Sequence, residues 1–231
     1  AGIYGPEKEK VTISGSVTIC AADVTLRNTI IEGDLLLGAS IGDGNVYLRD
    51  VTVKGKTIVN GGGPNSIIMY NFNGQTVIVD VPEGSKGRLV AQGSTSVADV
   101  TMEGSGTLEE EDLTGTGFVN VVIPAGAEVI LEGDFDQVEV EASGANVTVA
   151  GGSINTMTIA ENAAGANVNL AGGSSVNTLN ATAPSNIGGQ GTINTANINT
   201  DNVVIDQKPA TTNIAPGVTN AVVGGQQQTG T

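Results

Sequence analysis

The sequence repeats itself with a period of about 17 to 22 residues, and this constrains the fold more than any other feature. The segment 25–34 (TLRNTIIEGD) returns 22 residues later as 47–56 (YLRDVTVKGK), with its turn glycine and apolar alternation preserved. Further on, 146–152 (NVTVAGG) returns as 167–173 (NVNLAGG). A β-rich repeat this short cannot bury its own apolar face, so successive repeats must stack on one another.

These repeats predict an all-β fold, a single-stranded parallel β-helix (β-solenoid) of roughly ten turns. Short pieces rich in Val, Ile and Thr alternate with Gly, Asn, Asp and Ser, and helical periodicity is hard to find. We expect a leading segment or cap at 1–10, the β-helix at 11–206, and a tail or linker at 207–231, which is rich in Pro, Gly, Gln and Thr. Such a tail indicates additional domains of the same parent chain.

Strand alternation also predicts which side chains fill the interior and which form ladders on the surface. The expected inward residues are Val24, Leu26, Ile30, Leu35, Leu37, Val46, Leu48, Val51 and Val53. Asparagines recur at two phases, where side-chain amides could hydrogen-bond from turn to turn. One phase holds Asn146, Asn167, Asn186 and Asn202, and the other holds Asn155, Asn177 and Asn194.

Composition excludes several classes of function. A net charge of −15 disfavours nucleic-acid binding, because a phosphate backbone would be repelled. The absence of histidine excludes imidazole bases and histidine metal ligands, and the lone Cys20 cannot form an internal disulfide. No run of about 18 apolar residues exists, so membrane insertion is not expected.

Acidic residues are concentrated in the middle of the chain, where residues 99–141 hold twelve acids and no base. Clustered carboxylates suit Ca²⁺, which takes six to eight oxygen ligands. The candidate calcium ligands are Glu109, Glu110, Glu111, Asp112, Asp134 and Asp136. No calcium-loop motif is present, so a solvated acidic surface is the competing interpretation, and no other cofactor is expected.

The basic residues lie early, eight of the nine at or before Arg88. A 22-residue offset stacks Arg27 on Arg49 in adjacent turns, near Tyr47 and Tyr70. Together these five side chains are the candidate carbohydrate-binding residues, with the arginines suited to sugar acids. The alternative is a set of solvated arginines beside acidic neighbours.

The run 24–67 (VTLRNTIIEGDLLLGASIGDGNVYLRDVTVKGKTIVNGGGPNSI) resembles a β-helical region in extracellular proteins of Gram-positive bacteria that carry S-layer homology domains. The segment 57–67 (TIVNGGGPNSI) is the most specific part of this resemblance. It implies an extracellular, bacterial cell-surface location and a non-catalytic structural spacer. The alternatives are an extracellular module that binds cell-wall or environmental polysaccharide and a polysaccharide lyase or glycoside hydrolase of β-helix type. Catalysis is disfavoured because carboxylates abound but sugar-stacking aromatics do not.

Overall fold

The computed structural model describes residues 1–125 and 127–231, which form 22 β-strands and one short 3₁₀ helix, Ala39–Ile41. The first strands are β1 (Gly2–Tyr4), β2 (Val11–Ile13), β3 (Val17–Ile19), β4 (Val24–Ile31), β5 (Leu35–Leu37), β6 (Val46–Val59), β7 (Ile68–Tyr70), β8 (Asn73–Val79), β9 (Gly87–Gly93), β10 (Ser96–Met102), β11 (Gly106–Leu113) and β12 (Gly117–Ile123). They are followed by β13 (Glu128–Val140), β14 (Asn146–Ile159), β15 (Ala166–Leu170), β16 (Ser175–Ala181), β17 (Ser185–Gly189), β18 (Thr192–Ile198), β19 (Val203–Ile205), β20 (Thr211–Ile214), β21 (Ala221–Val223) and β22 (Gln226–Gln228).

Parallel strands from successive repeats stack in register and form a β-solenoid of about 11 turns, which confirms the predicted fold class. The chain divides into two compact units, residues 1–119 and 120–231. Each unit is described by itself below.

Unit 1 contains three stacks of parallel strands. Stack A comprises β1, the first halves of β4 and β6, β7, the second half of β9 and the middle of β11. Stack B comprises β2, the second half of β4, the middle of β6 and the starts of β8 and β10. Stack C comprises β3, β5 and the ends of β6, β8 and β10.

Apolar side chains at matching positions form columns inside unit 1. In stack A, Leu26, Leu48, Met69 and Ala91 occupy one register position in four successive turns, and all four are buried. Aliphatic columns of this kind need few aromatic residues, because each side chain packs against its equivalents one turn above and below.

Polar residues with positive φ form the corner between stacks A and B. Asn28, Asp50 and Asn71 have φ of 47°, 56° and 53°, a left-handed conformation that Asn and Asp tolerate better than most residues. The corner resets strand alternation, so Thr29 and Ile31 are buried whereas Ile30 is half-buried. The prediction that Ile30 points inward was therefore wrong, because the simple alternation did not allow for a left-handed residue at position 28.

Unit 2 also contains three stacks. Stack D comprises the starts of β13 and β14, then β15, β17, β19 and β21. Stack E comprises the middles of β13 and β14 and the starts of β16 and β18. Stack F comprises the ends of β12, β13, β14, β16 and β18, followed by β20.

The C-terminal segment differs from the expected linker. Within 207–231, β20 pairs in parallel with β18, β21 pairs in parallel with β19, and β22 returns antiparallel to β21. Val218, Ala221 and Val223 are buried there. Its Pro residues and most of its Gly residues lie between short strands, so the composition resembled that of a linker although the segment continues the coil.

No helix among the described residues has the length and apolarity needed to cross a membrane.

Candidate functional site

Four of the five predicted carbohydrate-binding residues, Arg27, Tyr47, Arg49 and Tyr70, lie on the outer surface of stack A. Register places Arg27, Arg49 and Tyr70 at one position in three successive turns, directly before the left-handed corner residues. Neighbouring strands lie about 4.8 Å apart, so these side chains form a continuous column. We call Arg27, Arg49 and Tyr70 the Arg-Tyr column.

The Arg-Tyr column has an aromatic neighbour and is open to solvent. The Arg49 guanidinium carbon lies 5.8 Å from the centre of the Tyr47 ring, within the range of a cation–π contact. Tyr70 is 45% exposed and Arg49 is exposed. The surface therefore offers two aromatic rings and a cation to a ligand.

Arg27 is held at the first turn of the column by the chain's leading segment. Its Nε donates to the Gly5 carbonyl at 3.3 Å, and its Nη2 lies 3.7 Å from a Glu7 carboxylate oxygen. Glu7 is thus an acid beside Arg27. Asp50 accepts a hydrogen bond from the Asn71 amide at 3.0 Å.

Two residues absent from the sequence prediction extend the same column. Gln92 lies opposite Tyr70, and its Nε2 donates to the Glu111 carboxylate at 2.9 Å. Gln92 and Glu111 could have been found from their positions in the chain, because each directly precedes a corner residue. These corner residues, Gly93 and Asp112, are left-handed in the structure. The column therefore runs from cationic to anionic along its length.

Arg88 forms an ion pair with Glu109 and lies apart from the Arg-Tyr column. Its Nε and Nη2 are each 2.7 Å from one Glu109 carboxylate oxygen on the next turn, and both side chains are mostly buried. This pair joins β9 to β11, so Arg88 has a structural contact that the sequence did not reveal.

The structure does not gather the predicted calcium ligands into one site. Among the described residues, no group of three or more His, Cys, Asp or Glu side chains could hold a metal ion. Glu109 binds Arg88 and Glu111 binds Gln92. Asp112 is a corner residue with φ 47°. Glu110 accepts from the Phe118 N–H at 2.8 Å. Glu109, Glu110 and Glu111 therefore each bind a different protein donor along the coil.

Asp134 and Asp136 begin two polar columns on the outer surface of stack E. Asp134 accepts from the Ser153 backbone N–H at 2.9 Å and from its hydroxyl at 2.7 Å. Asp136 accepts from the Asn155 amide at 2.8 Å. Asp136 thus starts a chain of coil-to-coil hydrogen bonds, and Asp134 binds the next turn through Ser153.

The two predicted asparagine ladders are present in unit 2. On stack D, Asn167 donates to Asn146 at 3.4 Å and Asn186 donates to Asn167 at 3.2 Å. On stack E, Asn177 donates to Asn155 at 3.3 Å and Asn194 donates to Asn177 at 3.0 Å.

The placement of Asn202 in the first ladder was wrong. Val204 lies opposite Asn186, and Asn202 instead accepts from the Asn220 amide at 2.7 Å. Asn202 is a left-handed residue with φ 59°, which shifts the phase of the strand that follows.

A third ladder, on stack F, was missed. Asn197 donates to Asn180 at 2.8 Å, and Asn213 donates to Asn197 at 2.8 Å. The recurrence of Asn at these three positions was the available signal, but the spacing of 17 and then 16 residues is shorter than in the earlier turns.

The chain is similar to part of a known protein of solved structure. No family model matches this chain, and no curated protein matches it. A solved structure does match. It is a chitinase from Paenibacillus sp. strain FPU-7, described as bacterial cell-surface-expressed, multi-modular enzyme machinery. The likeness to the chitinase has 37% sequence identity and a TM-score of 0.57, and it covers 64% of this chain and 13% of the chitinase chain.

Proposed function

We propose that this chain is a non-catalytic structural module of an extracellular, multi-modular cell-surface protein of the S-layer-associated type, in which it supports or spaces other domains. The observation that carries the proposal is that outward polar groups bond from turn to turn instead of converging around a cavity. The match to a small part of a cell-surface chitinase supports the cellular setting.

The non-catalytic part of the proposal is tested by assaying products. The purified chain, incubated with chitin, xylan, cellulose and pectate, with and without Ca²⁺, is expected to release no reducing ends and no ultraviolet-absorbing unsaturated uronates. Reproducible release from any of these substrates would replace the proposal with a lyase or hydrolase.

The spacing role is tested on a cell surface. A reporter domain is fused to a surface anchor either directly or through this chain, at equal display levels. We expect antibody on large beads to reach the reporter far better through this chain, because the stacked coil holds the reporter away from the wall. Equal capture by both fusions contradicts a spacing role.

A second candidate function, polysaccharide binding, is favoured by the Arg-Tyr column. The exposed Arg49 and the half-buried Arg27, one turn apart, suit carboxylated sugars, and Tyr47 and Tyr70 offer rings for stacking. We expect Arg49→Ala and Tyr70→Ala each to weaken retention on pectate about threefold or more, with unchanged melting temperature. Added salt should weaken it as well, since the contact is ionic.

A matched control exists on another surface of unit 1. Lys54 is an exposed cation that follows stack B, and Lys54→Ala removes the same charge as Arg49→Ala. Retention should be nearly unchanged in Lys54→Ala. Equal losses in both variants would indicate a general charge effect and remove the Arg-Tyr column as a site.

A further inference from the structure

The first turn of unit 1, residues 1–22, contains β1, β2 and β3 and leaves one edge of each strand uncovered. β1 and β2 pair in parallel with β4, and β3 pairs in parallel with β5. Each of the three has this one partner among the described strands, so the backbone groups of its other edge are available to another chain. The last turn of unit 2 differs, because there β22 returns antiparallel along β21.

Apolar side chains are exposed on the same first turn. The described residues include four large apolar side chains that are exposed, and three of them lie here: Ile3, Tyr4 and Val11, at 65%, 55% and 43%. A groove of about 420 Å³, lined in part by Tyr4, opens onto the core residues Val24 and Leu26. Apolar surface that is exposed and continues into the core is typical of a protein-docking surface.

The first turn also carries a self-complementary run of charges. Glu7, Lys8, Glu9 and Lys10 connect β1 to β2, and all four are exposed. A two-fold axis places this run antiparallel to its copy, with Glu7 opposite Lys10 and Lys8 opposite Glu9. Every glutamate then faces a lysine, whereas a parallel alignment would put like charges together. The run therefore favours a second copy of the same turn in a two-fold arrangement.

The coil holds the start of the charged run in place. The Asn28 amide donates to the carbonyl oxygens of Pro6 at 3.0 Å and Glu7 at 3.2 Å. The Arg27 Nε donates to the Gly5 carbonyl. A segment that is already ordered loses less conformational entropy when it binds. The leading segment is thus prepared for a contact.

Net charge permits two copies to approach by this turn. The chain carries a net charge of −15, but residues 1–22 contain two acids and two bases, whereas residues 99–141 contain twelve acids and no base. Electrostatic repulsion between copies is therefore weak at the first turn. The last turn of unit 2 is a poor partner for it, because β22 presents a run of glutamines there instead of apolar side chains.

We propose that the first turn of unit 1 binds the first turn of a second copy of this chain across a two-fold axis. Each copy covers the groove and the strand edges of the other, and the two charged runs pair beside them. A contact that uses the same surface on both copies closes after two, so it gives a dimer and not a fibre. The dimer goes beyond the proposed function and does not depend on it.

Sedimentation equilibrium of the full chain tests for the dimer. A thiol reductant is present, so that a disulfide through Cys20 does not contribute. The mass should rise with concentration from 23.1 kDa towards twice that value and no further. A chain that stays monomeric up to millimolar concentration, or that grows beyond the dimer, contradicts the proposal.

Two charge variants test the pairing of the runs. Lys8→Glu/Lys10→Glu leaves four glutamates in the run, and Glu7→Lys/Glu9→Lys leaves four lysines. Each variant alone faces like charges, so its dimer dissociation constant should rise about tenfold or more. An equimolar mixture should restore the dimer, because the acidic run of one variant then faces the basic run of the other.

A matched control separates this pairing from a general effect of charge. Lys54 and Lys56 are exposed outside the first turn and have the same spacing as Lys8 and Lys10. Lys54→Glu/Lys56→Glu makes the same change in net charge and should alter the dissociation constant by less than about twofold. Thermal melts show that each variant is folded. Equal weakening in this control, or a mixture no tighter than the separate variants, would overturn the proposal.

The sole cysteine reports where the copies meet. Cys20 is exposed and lines the groove of the first turn. Its alkylation should be several-fold slower at concentrations where the chain is dimeric than where it is monomeric. Equal rates in the two states would place the contact elsewhere and contradict the proposal. The product and reporter assays of the proposed function do not depend on any of these results, so the two proposals fail separately.

Discussion

Asp201 shows how one side chain fixes a turn of the coil. Its Oδ1 accepts the backbone N–H groups of Thr219 at 2.7 Å and Asn220 at 2.8 Å. These hydrogen bonds, that from Thr219 first, favour the charged carboxylate and lower the pKa of Asp201 below 3.8. The interaction joins the turn before β19 to the turn before β21.

The lowered pKa of Asp201 gives the first prediction. Because the folded pKa lies below the unfolded value, the stabilisation is fully present above the unfolded pKa and is lost as pH falls through the folded pKa. Asp201→Asn should therefore lower the melting temperature at pH 7, and this difference should shrink as the pH falls below about 3.8. Thermal melts at several pH values measure it.

Glu161→Gln provides the control for Asp201→Asn, because Glu161 is exposed in a turn and also loses one negative charge. Its melting temperature should stay close to that of the unmodified chain at pH 7. A pH-independent difference for Asp201→Asn would show that the charge of the carboxylate is not what stabilises the turn.

Ladders act at the scale of strands, where they link equivalent residues of neighbouring turns. The stack F ladder is the most enclosed of the three, since Asn180 and Asn197 are half-buried. Amides without hydrogen bonds in such places cost free energy. This ladder therefore restrains the register of β16, β18 and β20 in addition to their backbone pairing.

Removing the middle amide of the stack F ladder gives the second prediction. Asn197→Ala deletes two hydrogen bonds and leaves Asn180 and Asn213 without their shared partner. We expect the free energy of unfolding to fall by about 1–3 kcal/mol, measured by chemical denaturation. Asn169→Ala is the control, because Asn169 is exposed and should change stability by less than about 0.5 kcal/mol. Equal effects would contradict a stabilising role for the ladder.

Edge protection matters at the scale of the whole molecule. A stack of parallel strands ends in unpaired N–H and C=O groups, which can pair with another chain. In unit 2, β22 turns back antiparallel along β21 and pairs with it from Ala221–Gln228 to Val223–Gln226. This hairpin covers an edge that would otherwise be open.

Truncation after Val223 gives the third prediction. Loss of residues 224–231 removes β22 and should cause concentration-dependent self-association, which light scattering coupled to size-exclusion chromatography detects. Removal of residues 229–231 alone keeps β22 and serves as the control. If both truncated chains keep the association state of the full chain, β22 does not protect the edge.

Periodic features could be predicted from the sequence because each turn of the coil repeats the same pattern of strand and turn residues. Equivalent apolar residues of successive repeats were assigned to the core, and Asn146, Asn167 and Asn186 to one ladder, from spacing alone. Positions 27 and 49 were likewise brought together by their 22-residue offset. The partners of Arg88 and Glu110 were not predictable, since they depend on where one turn lies against the next.

The sequence by itself determined the coil period, the all-β class and the phase of most stacked side chains, because strand alternation and repeat spacing are local properties of the chain. Only the tertiary structure decided that Thr29 is buried at the corner, where simple alternation predicts an exposed residue. It also decided the pairing of Asn202 with Asn220 and the strands within 207–231. These depend on left-handed corner residues and on turns of unequal length, which shift register between coils. Such shifts are set when neighbouring turns pack, since backbone hydrogen bonds must then be satisfied across the stack.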